Sequence, residues 1–194
     1  MSSTIQVDTI KDIGGNTMLS SNGSGTFTSN LPGVGKIGQV VQVAKTDTYS
    51  ESIPANSLSS TIVSGLQPSI TPSASNSKVL ITVTLSVGYA SNAAGDQTGF
   101  IMKRGSTGIA LGNADGSRTR LSTGLNFSST YTLENMSMTF LDSPSTTSSI
   151  TYGISLFNGG GSTNNVYLNR DDRNDNGSYT SRGISSITLM EVLV

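Results

Sequence analysis

The sequence predicts an all-β protein, in which an antiparallel β-sandwich or jelly-roll head follows a short extended N-terminal arm. Many short runs of alternating apolar and polar residues succeed one another, with Gly-, Pro-, Asn- and Ser-rich turns between them. No window keeps a helical stripe of apolar residues over three turns. Hydrophobic residues make up 34% of the chain and charged residues 12%, and Ser and Thr are abundant, which favours β-structure with one wet face.

The arm is predicted to comprise residues 1–33, where apolar side chains are sparse. Ile5 and Val7 alternate with polar residues as in a strand, and Gly- and Asn-rich turns follow at 14–16 and 22–25. Such a segment cannot bury enough surface to offset its ordering entropy. We therefore expect it to lie against its own head, against copies of itself or on a docking partner, with a flexible tail as the alternative. The expected docking residues are Ile5, Val7, Ile10 and Ile13.

The head is predicted to comprise residues 34–194, after a Pro- and Gly-rich boundary at residues 31–35. Residues 78–89 form the clearest strand, because every second residue from Val79 to Val87 is apolar while Thr82, Thr84 and Ser86 point the other way. Further strands are predicted at 37–49, 57–63, 66–71, 99–103, 107–111, 118–127, 131–141, 150–157, 164–168 and 184–193.

The last predicted strand is apolar on both faces. Such a strand lies either at the centre of its sheet or at a subunit interface. In the second case the interface residues would be Ile187, Leu189, Met190 and Val192. Glu191 in the same strand would then pair with an arginine across that interface.

Composition excludes several function classes. The chain has no Cys and no His, so disulfides, zinc and haem ligation and Cys- or His-based catalysis are excluded. A net charge of -1 offers no basic field for nucleic acid. No signal peptide pattern or membrane-length apolar run is present. We expect a protein made in a cytosol, with no cofactor and no membrane insertion.

An Asp- and Asn-rich loop is the sharpest local motif. Residues 172–177, DRNDNG, begin like a calcium loop, but the twelfth position, where a bidentate Glu should stand, is Gly183. We therefore predict no metal here and interpret the loop as an exposed hairpin tip. Its tyrosines and arginines are also typical of a sugar-binding surface. The candidate surface-binding residues are Tyr167, Arg170, Arg173 and Tyr179.

Glycan cleavage is disfavoured by the shortage of carboxylates. A glycosidase needs two of them at a fixed separation, and the chain has only three glutamates, Glu51, Glu134 and Glu191. The aspartates outside the 171–175 loop are predicted to sit at turns and strand ends. We expect no enzymatic activity, and a glycan depolymerase is the least favoured hypothesis.

Several sequence blocks resemble tail-fibre and related virion proteins of marine tailed phages, including those that infect cyanobacteria. The blocks are STIQVDTIK (3–11), VVQVAKTDT (40–48), SITPS (69–73), RGST (104–107), GSRTR (116–120) and FLDSP (140–144). The resemblance implies attachment to the virion through the N-terminal segment and a homotrimeric jelly-roll head. Unlike many longer relatives, this chain has no coiled-coil or collagen-like repeat between Gly25 and Ile37.

Residues and resemblance together predict a short trimeric tail fibre located in the virion and made in the host cytoplasm. Its arm would bind other virion proteins, and its head would bind a host surface polysaccharide. The alternative is a capsid decoration or tail adaptor protein with a purely structural role.

Overall fold

The computed structural model describes residues 7–24, 27–29, 36–90, 96–127 and 129–194. The chain divides into two compact units, residues 1–36 and 37–194. Every element within the described ranges is a β-strand, and all the strand pairings given by register are antiparallel. The all-β, antiparallel prediction is confirmed. The predicted boundary at residues 31–35 lies outside the described residues.

The described residues of the first unit form a small three-stranded sheet. Strands β1 (Thr9–Lys11), β2 (Thr17–Ser21) and β3 (Phe27–Ser29) pair in the order β1-β2-β3. The first turn closes where the Asp12 carboxylate accepts the backbone N–H of Asn16 (2.8 Å) and its side-chain amide (2.9 Å), and these bonds lower the pKa of Asp12. The segment is extended within each strand but folds back twice.

In the part of the second unit that the structure describes, twelve strands form two sheets. These are β4 (Lys36–Lys45), β5 (Tyr49–Ile53), β6 (Ser57–Leu58), β7 (Ser69–Ile70), β8 (Lys78–Tyr89), β9 (Gln97–Arg104), β10 (Thr107–Ile109), β11 (Thr123–Asn126), β12 (Glu134–Asp142), β13 (Ile150–Asn158), β14 (Asn164–Leu168) and β15 (Ser185–Leu193). Sheet I has the order β4-β15-β8-β14-β5, with β12 along the other edge of β8. Sheet II has the order β10-β9-β13-β6, with β11 on β9 and β7 on β13.

One apolar core lies between the two sheets. Alternate residues of β8, from Val79 to Val87, are fully buried, as predicted from the period of two. Phe100 and Met102 of β9 and Ile154 and Leu156 of β13 belong to the same buried cluster. Since both sheets contribute to that cluster, the head is a β-sandwich.

Three predicted strands are less than half as long as expected, those at 57–63, 66–71 and 118–127, and the second of them is regular only at Ser69–Ile70. The strand predicted at 57–63 is regular only at Ser57–Leu58, because beyond it only Ser59 and Val63 keep backbone bonds to β13, at 2.7 and 3.0 Å. The strand predicted at 118–127 is regular only at Thr123–Asn126. Residues 112–120 before it are all exposed, so they have no inner face to bury and no reason to alternate.

The position of β15 corrects the proposed subunit interface. This strand lies between β4 and β8 within sheet I, and Ile187 and Leu189 are fully buried in the chain's own core. These two side chains therefore cannot form a surface for another subunit. Met190 and Val192 point to the outer face, where they are partly exposed.

Glu191 does not pair with an arginine. It is 1% exposed, and its carboxylate accepts hydrogen bonds from Gln39 Nε2 (2.8 Å) and from the backbone N–H and hydroxyl of Ser73 (2.6 and 2.7 Å). Burial alone would raise its pKa, but these bonds outweigh burial and lower the pKa to about 2. The expected partner across an interface is replaced by neutral donors of the same chain.

Asp142 ties the two sheets together at the end of β12. Its carboxylate accepts hydrogen bonds from the Arg104 guanidinium (3.0 and 3.1 Å) and the Tyr152 hydroxyl (2.7 Å). Both donors belong to sheet II, whereas β12 belongs to sheet I. Burial and this carboxylate raise the pKa of Tyr152, so the phenol stays a hydrogen-bond donor.

Candidate functional site

The loop between β14 and β15, residues 169–184, carries most of the predicted surface-binding residues. It is closed at its base by an antiparallel bridge between Arg170 and Arg182 and by a backbone bond from Gly183 N to Asn169 O (3.2 Å). The loop therefore leaves sheet I at the end of β14 and returns to it at the start of β15, with its two ends held together by these bonds.

Asn169 anchors the base of this loop. Its backbone adopts φ of 63°, a left-handed conformation that asparagine tolerates better than most residues. The side chain is fully buried. Its amide donates to Lys45 O and Asp47 O, both at 2.8 Å, and its carbonyl oxygen accepts from the Ser185 hydroxyl at 2.7 Å. One side chain thus joins the turn after β4, the end of β14 and the start of β15.

Gly88 permits a second close approach at the same place. A Cβ atom added there would lie 2.3 Å from the backbone oxygen of Arg170, a distance that no real Cβ tolerates. The backbone of the loop therefore rests directly on β8, which fixes the height of the loop above the sheet.

Arg173 lies at the centre of an aromatic cluster. Its guanidinium carbon is 4.7 Å from the ring centroid of Tyr131 and 5.0 Å from that of Tyr179, which is cation–π distance. The same guanidinium donates to the Asp171 carboxylate (2.9 Å) and to the backbone oxygens of Tyr131 (3.3 Å) and Tyr179 (3.4 Å). The bond to Asp171 raises the pKa of Arg173, so the cation is permanent.

Both tyrosines of this cluster face outward. Tyr131 is 59% exposed and Tyr179 is 67% exposed. The Tyr179 hydroxyl donates to Asp175 (3.0 Å), and this bond raises the pKa of Tyr179. We call Tyr131, Arg173 and Tyr179 the Tyr–Arg surface. It offers two exposed aromatic rings, each in contact with the Arg173 guanidinium beneath them, and polar groups lie at the edges of the rings.

The sequence placed Tyr167 in this surface, and that assignment is wrong. Tyr167 is 4% exposed because it belongs to β14, and its hydroxyl donates to Asp172 (2.6 Å). Arg170 stacks on the Tyr167 ring at 3.8 Å and donates to Asp171 O at 2.9 Å. Tyr167 and Arg170 therefore support the loop from beneath, while Arg173 and Tyr179 reach the surface as expected.

Tyr131 was missed because residues 131–141 read as one alternating strand. The strand begins only at Glu134, and the residues before it turn toward the 169–184 loop, where the carbonyl of Thr130 accepts the backbone N–H of Asp172 (3.2 Å). An aromatic residue at the start of a predicted strand, next to Ser129 and Thr130, is the only local signal that could have suggested a turn.

The aspartates of the loop are engaged separately. Asp171 binds Arg173, Asp172 accepts from Tyr167, and Asp175 accepts from Tyr179. Within the described ranges no three His, Cys, Asp or Glu side chains gather as a metal site would require. The pattern that begins like a calcium loop therefore does not converge on one point.

The predicted docking residues of the first unit are exposed where they are described. Val7 is 50% exposed, Ile10 is 45% exposed, and Ile13 is fully exposed at the turn after β1. Val7 and Ile10 line a shallow groove with Leu19. Ile5 lies outside the described residues. A sheet of three short strands is too small to bury these apolar side chains in a core of its own.

No protein-family model and no curated protein sequence matches the chain. In the part of the chain that the structure describes, there is no helix of the length and apolarity that a bilayer crossing requires.

Proposed function

We propose that the protein is a non-enzymatic phage virion protein, a short trimeric tail fibre whose head binds a host surface glycan. Residues 1–33 attach it to other virion proteins. The observation that carries the glycan proposal is the Tyr–Arg surface, two exposed rings held rigid by one stacked cation. The protein is made in the host cytoplasm and assembled into the virion.

Aromatic rings suit sugars because they are amphipathic and lose little conformational entropy on binding. In the Tyr–Arg surface, the contacts of Arg173 already fix both residues, since it binds the backbone oxygens of each. A pre-organised surface avoids ordering costs when the ligand arrives. A flat face of sugar C–H groups would pack on the rings, and Asp175 would accept from sugar hydroxyls.

The charge of the loop favours a neutral glycan. Residues 170–182 contain three arginines and three aspartates, and Arg173 is neutralised by Asp171 at 2.9 Å. No net field is left to attract a strongly anionic polymer. Avidity from three copies would compensate for a weak single contact.

Replacing either exposed tyrosine should abolish most of the binding. Tyr131→Ala and Tyr179→Ala are each expected to weaken binding of the purified protein to host polysaccharide by roughly tenfold or more, as truncation of a central aromatic contact does. The measurement is retention of labelled protein on host cells and on immobilised host polysaccharide.

The matched control is Tyr179→Phe, which keeps the ring and removes only the hydroxyl bonded to Asp175. It should retain more binding than Tyr179→Ala. Wild-type retention by both alanine variants would reject this surface as the glycan site.

A purely structural role, as a capsid decoration or tail adaptor, is the second candidate. The exposed apolar residues Val7, Ile10 and Ile13 support docking in both candidates, whereas the lack of a coiled-coil or collagen-like repeat between Gly25 and Ile37 favours this one. Failure of the wild-type protein to adhere to host cells, combined with binding to particles that lack it, would favour this candidate.

We also propose a jelly-roll connectivity for the head. Sheet I joins β4, β15, β8 and β12 side by side, and sheet II joins β6, β13, β9 and β10. Numbered 1 to 8 in chain order, with β5, β7, β11 and β14 left out, these strand orders are 1-8-3-6 and 2-7-4-5. Strands that are consecutive in this numbering lie on opposite sheets, except for the hairpin of strands 4 and 5. Two interleaved four-stranded sheets of this kind support a double Greek key.

Trimer contacts are proposed on the outer face of sheet I. Met190 is opposite Leu80 of β8, and Leu80 is opposite Leu141 of β12. These residues form an apolar row across three strands, with Val192 one step further along β15. Ile187 and Leu189 lie on the opposite face of β15 and are buried in the core of the same chain.

Met190→Glu should convert the trimer into folded monomers, because the variant would place three charges in one apolar contact. Light scattering measures the mass, and unfolding temperature verifies that each variant is folded. Ser106→Glu, at an exposed turn, adds the same charge elsewhere and should remain trimeric. A folded trimer of Met190→Glu, or a monomeric wild type, would contradict this assignment.

A further inference from the structure

The chain contains three Asn-Gly pairs, Asn22-Gly23, Asn158-Gly159 and Asn176-Gly177. Glycine has no Cβ to shield its backbone nitrogen, so an asparagine before it is open to attack by that nitrogen. The structure holds the three pairs very differently. We propose that Asn176 is a spontaneous modification site, at which deamidation converts it to aspartate and isoaspartate within the folded protein.

The reaction needs only water. The backbone nitrogen of Gly177 loses its proton and attacks Cγ of Asn176, forming a new C–N bond. The bond from Cγ to the side-chain nitrogen breaks, and ammonia leaves with the proton. Water then opens the resulting succinimide ring at either carbonyl, which gives aspartate or isoaspartate. No oxidant or reductant takes part.

Asn158 is protected by its contacts. It is fully buried, and its amide nitrogen donates to Ile53 O (2.8 Å), Pro54 O (3.0 Å) and Ser162 O (2.9 Å). Gly159 N donates to Gln97 O at 2.8 Å. The leaving nitrogen and the attacking nitrogen are therefore both occupied, and the side chain cannot rotate without breaking three bonds.

Asn22 is exposed but partly restrained. Its carbonyl oxygen accepts the backbone N–H of Ser24 (2.8 Å), as in an Asx turn. The N–H of Gly23 donates to the Ser21 hydroxyl (3.1 Å). Attack at Asn22 requires both of these short bonds to open first.

Asn176 has neither protection. It is exposed, and the N–H of Gly177 makes only a long contact of 3.4 Å to a carboxylate oxygen of Asp175. Asp175 is a base already placed to accept the proton that this nitrogen must lose. The loop ends are fixed by Asn169 and Gly183, so the reactive pair stays at an exposed tip.

The change would alter the Tyr–Arg surface. A Cβ atom at Gly177 would lie 2.4 Å from the Tyr179 ring, which shows how closely that ring rests on this peptide. Isoaspartate inserts a methylene into the same backbone, and either product adds a negative charge beside Asp175. A consequent loss of glycan binding rests on the function proposed above, whereas the modification itself does not.

The test is to incubate the full-length protein in mildly alkaline buffer and to follow each Asn-Gly peptide by mass spectrometry and isoaspartate detection. Loss of unmodified Asn176 should be fastest, that of Asn22 slower, and that of Asn158 should begin only after unfolding in urea. Asn176→Gln should abolish the early ammonia release. Slower conversion of Asn176 than of Asn22, or equal conversion of Asn158 in the folded protein, would overturn the proposal.

Glycan retention is measured on the same aliquots. Conversion of Asn176 accompanied by falling retention supports both proposals. Conversion in a protein that never bound glycan upholds the modification and rejects the proposed function. Retention without conversion rejects the modification alone.

Discussion

Replacing Glu191 by Gln is expected to lower the free energy of unfolding at neutral pH by on the order of 3 kcal/mol. Folding lowers the pKa of the Glu191 carboxyl from 4.5 to about 2, and a pKa difference of that size between the unfolded and folded states stabilises the fold by about this amount. The carboxylate is almost fully buried and is stabilised by Gln39 and by two donors of Ser73. A glutamine amide offers one acceptor oxygen and directs its own NH₂ group at one of these donors. Urea unfolding of the two proteins measures the difference.

The difference should depend on pH in a defined direction. The folded-state pKa of Glu191 is about 2, below its ordinary 4.5, so its stabilisation is complete above pH 4.5 and is lost as the pH falls through about 2. The advantage of the wild type over Glu191→Gln should therefore shrink between these two pH values. An advantage that stays constant over this window would show that packing, not ionisation, causes it.

Glu134→Gln is the matched control because Glu134 is exposed at the start of β12. The same change of charge there should alter stability by less than about 0.5 kcal/mol, as surface substitutions usually do. Gly38→Ala is the complementary variant. Its Cβ would lie 3.0 Å from Glu191 Oε2, so it should disturb the same carboxylate without changing any charge.

The sequence identified the strand of Glu191 but not the environment of its carboxylate. A period of two places Glu191 on the same face as Ile187 and Leu189, and those residues are indeed buried. The donors that make burial tolerable are Gln39 and Ser73, which are 152 and 118 residues away along the chain. Pairing over such separations follows from sheet order, which local periodicity does not contain.

The same contrast between local patterns and contacts over long sequence separations explains which residues of the Tyr–Arg surface could be predicted. Arg173 and Tyr179 are close in sequence, and their composition alone indicated an exposed polar tip. Tyr131 is 42 residues from Arg173 and joins them only because the loop rests on β8 beside the start of β12. By contrast, β8 could be predicted almost residue by residue, because its whole inner face is decided by a local alternation.

Asn169→Ala is expected to lower the free energy of unfolding by roughly 2–4 kcal/mol, the range for loss of a buried hydrogen-bond network. The variant leaves Lys45 O, Asp47 O and the Ser185 hydroxyl without their bonds to this side chain. It also forces a residue with a Cβ, and no compensating side-chain bond, into φ of 63°. Thermal and urea unfolding measure the loss.

Asn169→Gly separates the two causes, because glycine adopts this φ freely but makes no side-chain bonds. If the hydrogen bonds dominate, the glycine variant should be nearly as unstable as the alanine variant. Asn174 provides the control within the same loop, since it also has positive φ (49°) but is exposed and accepts a single bond, from Arg182 (2.7 Å). Asn174→Ala should cost about 1 kcal/mol or less.

We expect Asn174→Ala to be the most stable of the three variants and Asn169→Gly to be at least as stable as Asn169→Ala. This order also bears on function. Asn169 holds the base from which Arg173 and Tyr179 project, so its loss should loosen the Tyr–Arg surface as well as the core. Glycan binding should then fall in the Asn169 variants at temperatures where they remain folded, and persist in Asn174→Ala. If Asn169→Ala and Asn174→Ala lower the free energy of unfolding equally, then the left-handed backbone conformation, and not the buried hydrogen-bond network of Asn169, accounts for the loss of stability.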